Sequence, residues 1–164
     1  VGSEMCIRDR FLRPYNMEMV DSKQQKLKPA QIIDIAAKTT KSKHSSVQIK
    51  RILVEEFSLP GSWKMQQGNT IFVVHTGTKP RQGYFRAINA DTARNYVENS
   101  KEFVSAAYDV GYDILVTYFT DPTILNIFKA IAATKPAHMG YKAVRTKDGG
   151  YQVTLILGPL RGKA

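Results

Sequence analysis

The side chains able to do chemistry are few and scattered. His75, near the end of a predicted strand, has the basicity to take a proton from an amine, and Tyr118, inside an apolar strand, carries a hydroxyl able to return one. His138, in the loop 134–140, is a third group of this kind. Each has an ordinary alternative: a histidine at a strand end serves as surface or structure, and a tyrosine in an apolar strand as core with its hydroxyl satisfied. No Ser/His/Asp or Cys/His constellation can be assembled. Cys6 is the only cysteine, which excludes an internal disulfide and a multi-thiolate metal site, and His44, His75 and His138 are too dispersed for a metal cluster. No metal is expected. A different chemistry, anion binding, is offered by residues 86–94, where a strand runs into a helix. Ala90, Thr92 and Ala93 are small enough for an anion to approach the backbone after Ile88, and Arg86 and Arg94 supply charge. Against this, the loop has no glycine and Asp91 opposes a phosphate, so an ordinary helix capped by Asn89 or Asp91 is the competing reading.

The chain has 164 residues, 43% hydrophobic and 23% charged, the composition of one globular domain with at most a short arm. No apolar run approaches the roughly eighteen residues of a membrane-spanning helix, so no membrane association is expected. Lys and Arg outnumber Asp and Glu by 24 to 14, a net charge of +10. The excess lies between Lys23 and Arg51, where Asp34 is the one acid. Such a stretch attracts nucleic acid or another polyanion, or serves as a solvated surface; no aromatic residue interrupts it to stack on bases.

Residues 1–10, VGSEMCIRDR, resemble the translation of a sequencing adapter of the kind left in assembled environmental reads. On that expectation they are not native, Cys6 carries no meaning, and the authentic start is Met17, Met19 or a residue absent from this sequence.

The elements that must position these groups are legible from Pro29 onward. A short amphipathic helix follows Pro29 and breaks at the hydroxyl- and lysine-rich segment 38–46. A second helix carries Val47, Ile49, Ile52, Leu53 and Phe57, with Ser45 or Ser46 as its N-cap, and ends at Leu59-Pro60-Gly61. Three strands follow over 62–66, 70–76 and 84–88, then a helix over 91–110 that leaves through Gly111. Residues 112–119 read as a strand covered on both faces, and Asp121-Pro122 opens a helix that Lys135-Pro136 stops. Strands over 141–147 and 151–157 join through Asp148-Gly149-Gly150.

The order α-α-β-β-β-α-β-α-β-β predicts a mixed α/β sheet in which strands 84–88 and 112–119 lie parallel across a helical crossover and the other pairs are antiparallel. Residues 1–28 are taken as the non-native segment plus a flexible basic arm, 29–158 as the domain and 159–164 as a tail. In a β-α-β unit the ligand position is the carboxyl end of the first strand, which points again to residues 88–94.

This element order resembles the Gcn5-related N-acetyltransferase superfamily, the acyl-CoA N-acyltransferase fold, over residues 29–158, with residues 11–15 standing where its first strand would be. Among its members the chain looks most like divergent, phage-encoded acyltransferase-like proteins. The resemblance implies acetyl-CoA as cofactor, held by Ile88, Asn89, Ala90, Asp91, Thr92, Ala93 and Arg94 at the pyrophosphate loop, with Phe128 further along. It implies an unknown amine as substrate, with His75 and Tyr118 as catalytic candidates. The motifs depart from the family's in two places. The glycines of the pyrophosphate loop are missing, and Asp121 and Phe128 stand where the family has Asn and its general-acid Tyr. A phenyl ring gives no proton, so that catalytic role is absent as written. Met139-Gly140-Tyr141 matches the Gly-aromatic pair that follows the helix in the family. Three readings stand: an acyl-CoA-dependent transferase acting on an amine; a non-enzymatic phage virion or binding protein on the same fold, with a phage or host protein as partner; and a basic nucleic-acid-binding module. The cytoplasm of a host cell or a virion is the expected location.

Overall fold

A computed structural model describes residues 26–40, 42–134 and 140–159. The adapter-like segment, Lys23, Lys41, His138, Met139 and most of the tail lie outside the described residues. The elements are α1 (Pro29–Thr39), α2 (Ser46–Ser58), β1 (Trp63–Gln67), β2 (Thr70–Thr76), β3 (Gln82–Asn89), α3 (Ala93–Val110), β4 (Ile114–Phe119), α4 (Thr123–Thr134), β5 (Gly140–Arg145) and β6 (Tyr151–Ile156), in the order the sequence predicts. The strands form a six-stranded mixed sheet in the order β1-β2-β3-β4-β6-β5. β3 and β4 run parallel, joined through α3, as expected. β1–β2, β4–β6 and β5–β6 are antiparallel. The last strand, β6, takes the place beside β4, and β5 becomes the edge.

Among the described residues the chain divides into two compact units, one holding those up to Val74 with Ala87–Tyr96, the other His75–Arg86 and those from Val97 on. In the first, Pro29 opens α1 with its φ already helical, and the Gln31 side chain accepts from the Lys28 N–H at 2.9 Å. Ser45 settles the cap of α2: its Oγ accepts from Gln48 N at 3.2 Å and Gln48 Oε1 accepts from Ser45 N at 3.0 Å, so two donors that the helix cannot pair are satisfied together. The inner faces of both helices then bury Ile32, Ile33, Ala36, Ala37, Ile49 and Leu53 against Ile71 and Val73 of β2 and Ile88 of β3.

The core of the second unit is built on phenyl rings. Phe85 of β3 meets Phe103 of α3 at 5.3 Å and Phe128 of α4 at 6.4 Å between centroids. Phe119 of β4 stacks on Phe128 at 5.7 Å and on Tyr151 of β6 at 5.6 Å. These contacts put α3 and α4 on one face of this part of the sheet.

Most strand ends shift by one or two residues from the sequence reading, and two boundaries that differ have a visible cause. β4 starts at Ile114 and not at Tyr112, because the Tyr112 N–H donates to Ala107 O at 2.9 Å, still closing the end of α3, and Asp113 N donates to Arg81 O at 2.8 Å. Gly111, at φ +129°, makes that helix exit possible, since side-chain-bearing residues rarely take it. α3 starts at Ala93 and not at Asp91. Its cap is also neither of the residues expected.

Candidate functional site

The segment joining β3 to α3 is held from the side. Asn89 Oδ1 accepts from Thr70 Oγ1 at 2.8 Å and from Asp91 N at 3.1 Å, while its Nδ2 donates to Asp91 O at 2.9 Å. Asp91 Oδ2 accepts from Asn69 N at 2.8 Å, Ala90 N donates to Asn69 O at 3.0 Å, and Asn69 Oδ1 accepts from Leu27 N at 2.8 Å. The side chains expected to cap α3 are therefore spent on fastening its entrance to the β1–β2 turn. Thr92 is the cap: its Oγ1 accepts from Asn95 N at 3.2 Å and its carbonyl from Tyr96 N at 2.8 Å. The correction has a simple cause, since Asn89 and Asp91 lie before the helical turn and face donors that sequence spacing does not reveal.

The first turn of α3 consequently keeps orphan donors. The N–H groups of Ala93 and Arg94 have no carbonyl four residues back within the helix. Thr92, Ala93 and Arg94 are exposed, and Ala90 and Asn89 half-buried. Ile88, 1% exposed, points into the core of the first unit, so only its backbone is available to a ligand. These residues fit a diphosphate: the side chains are small, the helix presents N–H groups, Arg94 is exposed in the same turn, and the Asp91 carboxylate is engaged by Asn69.

A second feature lies in the other unit. The parallel β3–β4 ladder holds Gln82–Ile114, Gly83–Leu115 and Tyr84–Val116 in register and goes no further, although β3 continues to Asn89 and β4 to Phe119. Beyond Val116 the edge of β4 toward β3 carries backbone groups outside that ladder, while its other edge stays paired with β6 through Phe119–Tyr151. An extended amide-bearing chain can hydrogen-bond along such an edge.

Tyr118 sits on that stretch of β4 and is 56% exposed, which corrects the expectation of Tyr118 in the core; Leu115, Val116 and Thr117 before it are buried, so the strand is covered on both faces there, as expected. Burial ends with the strand: Phe119 stacks on Phe128 of α4, while Tyr118 goes to water. Its ring lies 6.4 Å from that of Tyr84, the planes 13° apart. His75 is half-buried at the end of β2 and has a partner in the fold. Phe128 is 4% exposed within the phenyl cluster, where its ring is structural. The basic segment is exposed at Lys28, Lys38, Lys43, Lys50 and Arg51, and Lys50 pairs with Asp34 at 2.7 Å. That contact holds the Asp34 carboxyl below its usual range. Among the described residues no three His, Cys, Asp or Glu side chains gather as for a metal, and no helix is long and apolar enough to cross a membrane.

Comparison with solved structures gives this arrangement a type. The ribosomal-protein-S18-alanine N-acetyltransferase from Escherichia coli superposes with a TM-score of 0.50 over 85% of this chain and 95% of its own, at 8% identity. The fold is that of the acyl-CoA N-acyltransferases. An acetyltransferase of the GNAT family from Streptococcus pneumoniae aligns at 11% identity and TM-score 0.38 over 80% of this chain and 97% of its own. TofI, in a ternary complex with an inhibitor and MTA, aligns at 13% identity and TM-score 0.36 over 82% and 89%. No protein-family profile and no curated protein matches the sequence.

In the terms of this acyltransferase fold, the loop the sequence singled out is the entrance to α3, and the parallel β3–β4 ladder ends at Tyr84–Val116. What sequence reasoning missed is Asn69, whose backbone and side chain organise that entrance, and Tyr84, whose exposure no residue pattern announced. Tyr96, in the first turns of α3, has its phenol raised above the ordinary range by desolvation.

Proposed function

We propose that this chain is an acyl-CoA-dependent N-acyltransferase. The observation that carries the reading is the early end of the β3–β4 ladder at Tyr84–Val116, which leaves the β4 edge over 117–119 outside that ladder, where an extended amide-bearing ligand would pair. The fold likeness supports it, and the orphan donors of Ala93 and Arg94 give a diphosphate its place at the helix that β3 feeds. Acetyl-CoA, when bound, supplies a thioester carbonyl activated toward an amine. Within the second unit the chain's part is to align an amide-bearing arm along β4 and to relieve the attacking amine of its proton; in the first, the opening turn of α3 offers its N–H groups to a diphosphate. His75 is the candidate base and Tyr118 the exposed hydroxyl beside the end of the ladder. Phe128 takes no part in proton transfer.

One observation favours a second reading. The phenyl ring at the position of the family's general acid is integral to the core, so a chain that binds acyl-CoA without turnover, acting as a binding protein, fits the same site. Titration of acetyl-CoA by calorimetry into wild type and Ala90→Glu tests the shared claim. Binding by wild type, lost when charge and bulk enter the diphosphate path, is expected; no heat at millimolar ligand retires the cofactor, and equal binding by both proteins puts it elsewhere. Release of thiol from acetyl-CoA in the presence of amines then separates transferase from binder.

A further inference from the structure

On the face of the second unit opposite the phenyl cluster, aromatic surface meets water. β3 alternates there, Gly83 and Phe85 buried, Tyr84 and Arg86 exposed. Tyr84 is 40% and Tyr118 56% exposed, with rings nearly parallel across adjacent strands. Tyr84 leans on Gly77, where a Cβ would stand 3.0 Å from Tyr84 Cε2, so the absence of a side chain at 77 sets the height of the ring above the sheet. In register with Val116 and Tyr118, the same face continues through Thr154 and Gln152 of β6 to Lys142 and Val144 of β5. Arg86 and Lys142 are its cations, and among the described residues of these four strands no Asp or Glu falls on it.

Two tyrosine rings held parallel in water forgo the burial that aromatic side chains ordinarily gain in a fold, and parallel rings offer a flat partner both dispersion and stacking. Their position is as specific as their chemistry. Tyr84 belongs to the last pair of the β3–β4 ladder and Tyr118 lies two residues past it, beside the open edge. We infer that Tyr84 and Tyr118 form the seat of the acyl acceptor, and that the acceptor is an amine carried on a flat, anionic molecule such as an aromatic carboxylate or phosphate.

The inference rests on the acyl-CoA reading above. The acceptor's ring stacks on the tyrosines, its anionic group faces Arg86, two residues beyond Tyr84 on the same side of β3, with Lys142 adding to the positive charge of the face, and its amine is left at the end of the ladder. In the transfer the amine nitrogen bonds to the acyl carbon as the carbon–sulfur bond breaks, and the proton the amine gives up ends on the sulfur of free CoA. An aliphatic polyamine gains no stacking here and meets like charge.

The probe is 4-(aminomethyl)benzoate and the counter-probe spermidine, each titrated by calorimetry and by the ring signals of Tyr84 and Tyr118 in NMR. The benzoate is expected to bind and to shift both rings, with affinity about tenfold weaker in Tyr118→Ala and retained in Tyr118→Phe, because the ring and not the hydroxyl holds it. Tyr118 is exposed, and the unchanged far-ultraviolet circular dichroism expected of Tyr118→Ala is checked beside it. Spermidine binding at least as tightly as the benzoate, or equal benzoate affinity in wild type and Tyr118→Ala, overturns the assignment. Acetyl-CoA is titrated separately into the same proteins. If it binds and the benzoate does not, the acceptor seat is wrong and the cofactor reading stands; if acetyl-CoA fails to bind, both fall.

Discussion

The carboxylate of Asp91 accepts a hydrogen bond from the backbone N–H of Asn69 at 2.8 Å, across 22 residues of sequence. An acid one position before the cap of α3 looks like an obstacle to a phosphate, yet here it pins the loop whose donors a phosphate would use. Removing it leaves the Asn69 N–H without its acceptor at a residue only 7% exposed. Asp91→Ala is expected to lower stability by about 1–3 kcal/mol in urea denaturation. Asp91→Asn, which keeps a side-chain oxygen in the same place, should recover most of it. Equal stability of Asp91→Ala and wild type would show that the loop does not depend on this bond.

Gly158 gives a purely steric prediction. A Cβ there would stand 2.8 Å from Tyr108 Cε1 and 2.9 Å from Cζ, and the ring is tethered because its hydroxyl donates to Pro159 O at 2.9 Å. Gly158→Ala should cost about 1–3 kcal/mol. Truncating the ring in Gly158→Ala/Tyr108→Ala should make the second change much less costly than Tyr108→Ala alone, a coupling read from a double-mutant cycle of denaturation midpoints.

The raised pKa of Tyr96 predicts a dependence on alkaline pH. The unfolded chain ionises this phenol near pH ~10 and the folded one resists. The folded state therefore keeps the full contribution of the neutral phenol below that value and loses it as pH rises beyond. Thermal melts of wild type above pH ~10 should fall more steeply than those of Tyr96→Phe, which has nothing to ionise at that position. Parallel slopes would remove the argument.

Lys50 and Asp34 bear on the basic segment. With that lysine already neutralised and no aromatic ring within the segment, a single-stranded oligonucleotide should bind weakly, with a shallow decline between low and physiological salt. Asp34→Asn, which releases Lys50, should steepen the slope by less than about one counterion. A steep decline in wild type would instead make the segment a nucleic-acid surface.

The sequence by itself determined the elements and their order. Helix and strand periodicity, the proline at the start of α1, the Ser45 capping box and the Asp148-Gly149-Gly150 turn are local signals, and each element formed where its own residues favour it. The parallel β3–β4 pair followed too, because a strand, a helix and a strand leave little topological freedom. Tertiary structure alone decided the rest. Whether Asp91 caps a helix or ties a loop depends on a backbone N–H 22 residues away. Whether Tyr118 is core or surface depends on which side of the sheet α3 and α4 cover, and Phe85, Phe103, Phe119 and Phe128 settle that by packing together. Where the β3–β4 ladder stops is a property of two strands at once and is written in neither. Pattern along a chain encodes what each segment can become; which donor meets which acceptor, and which face stays wet, are fixed only when distant segments compete for the same space.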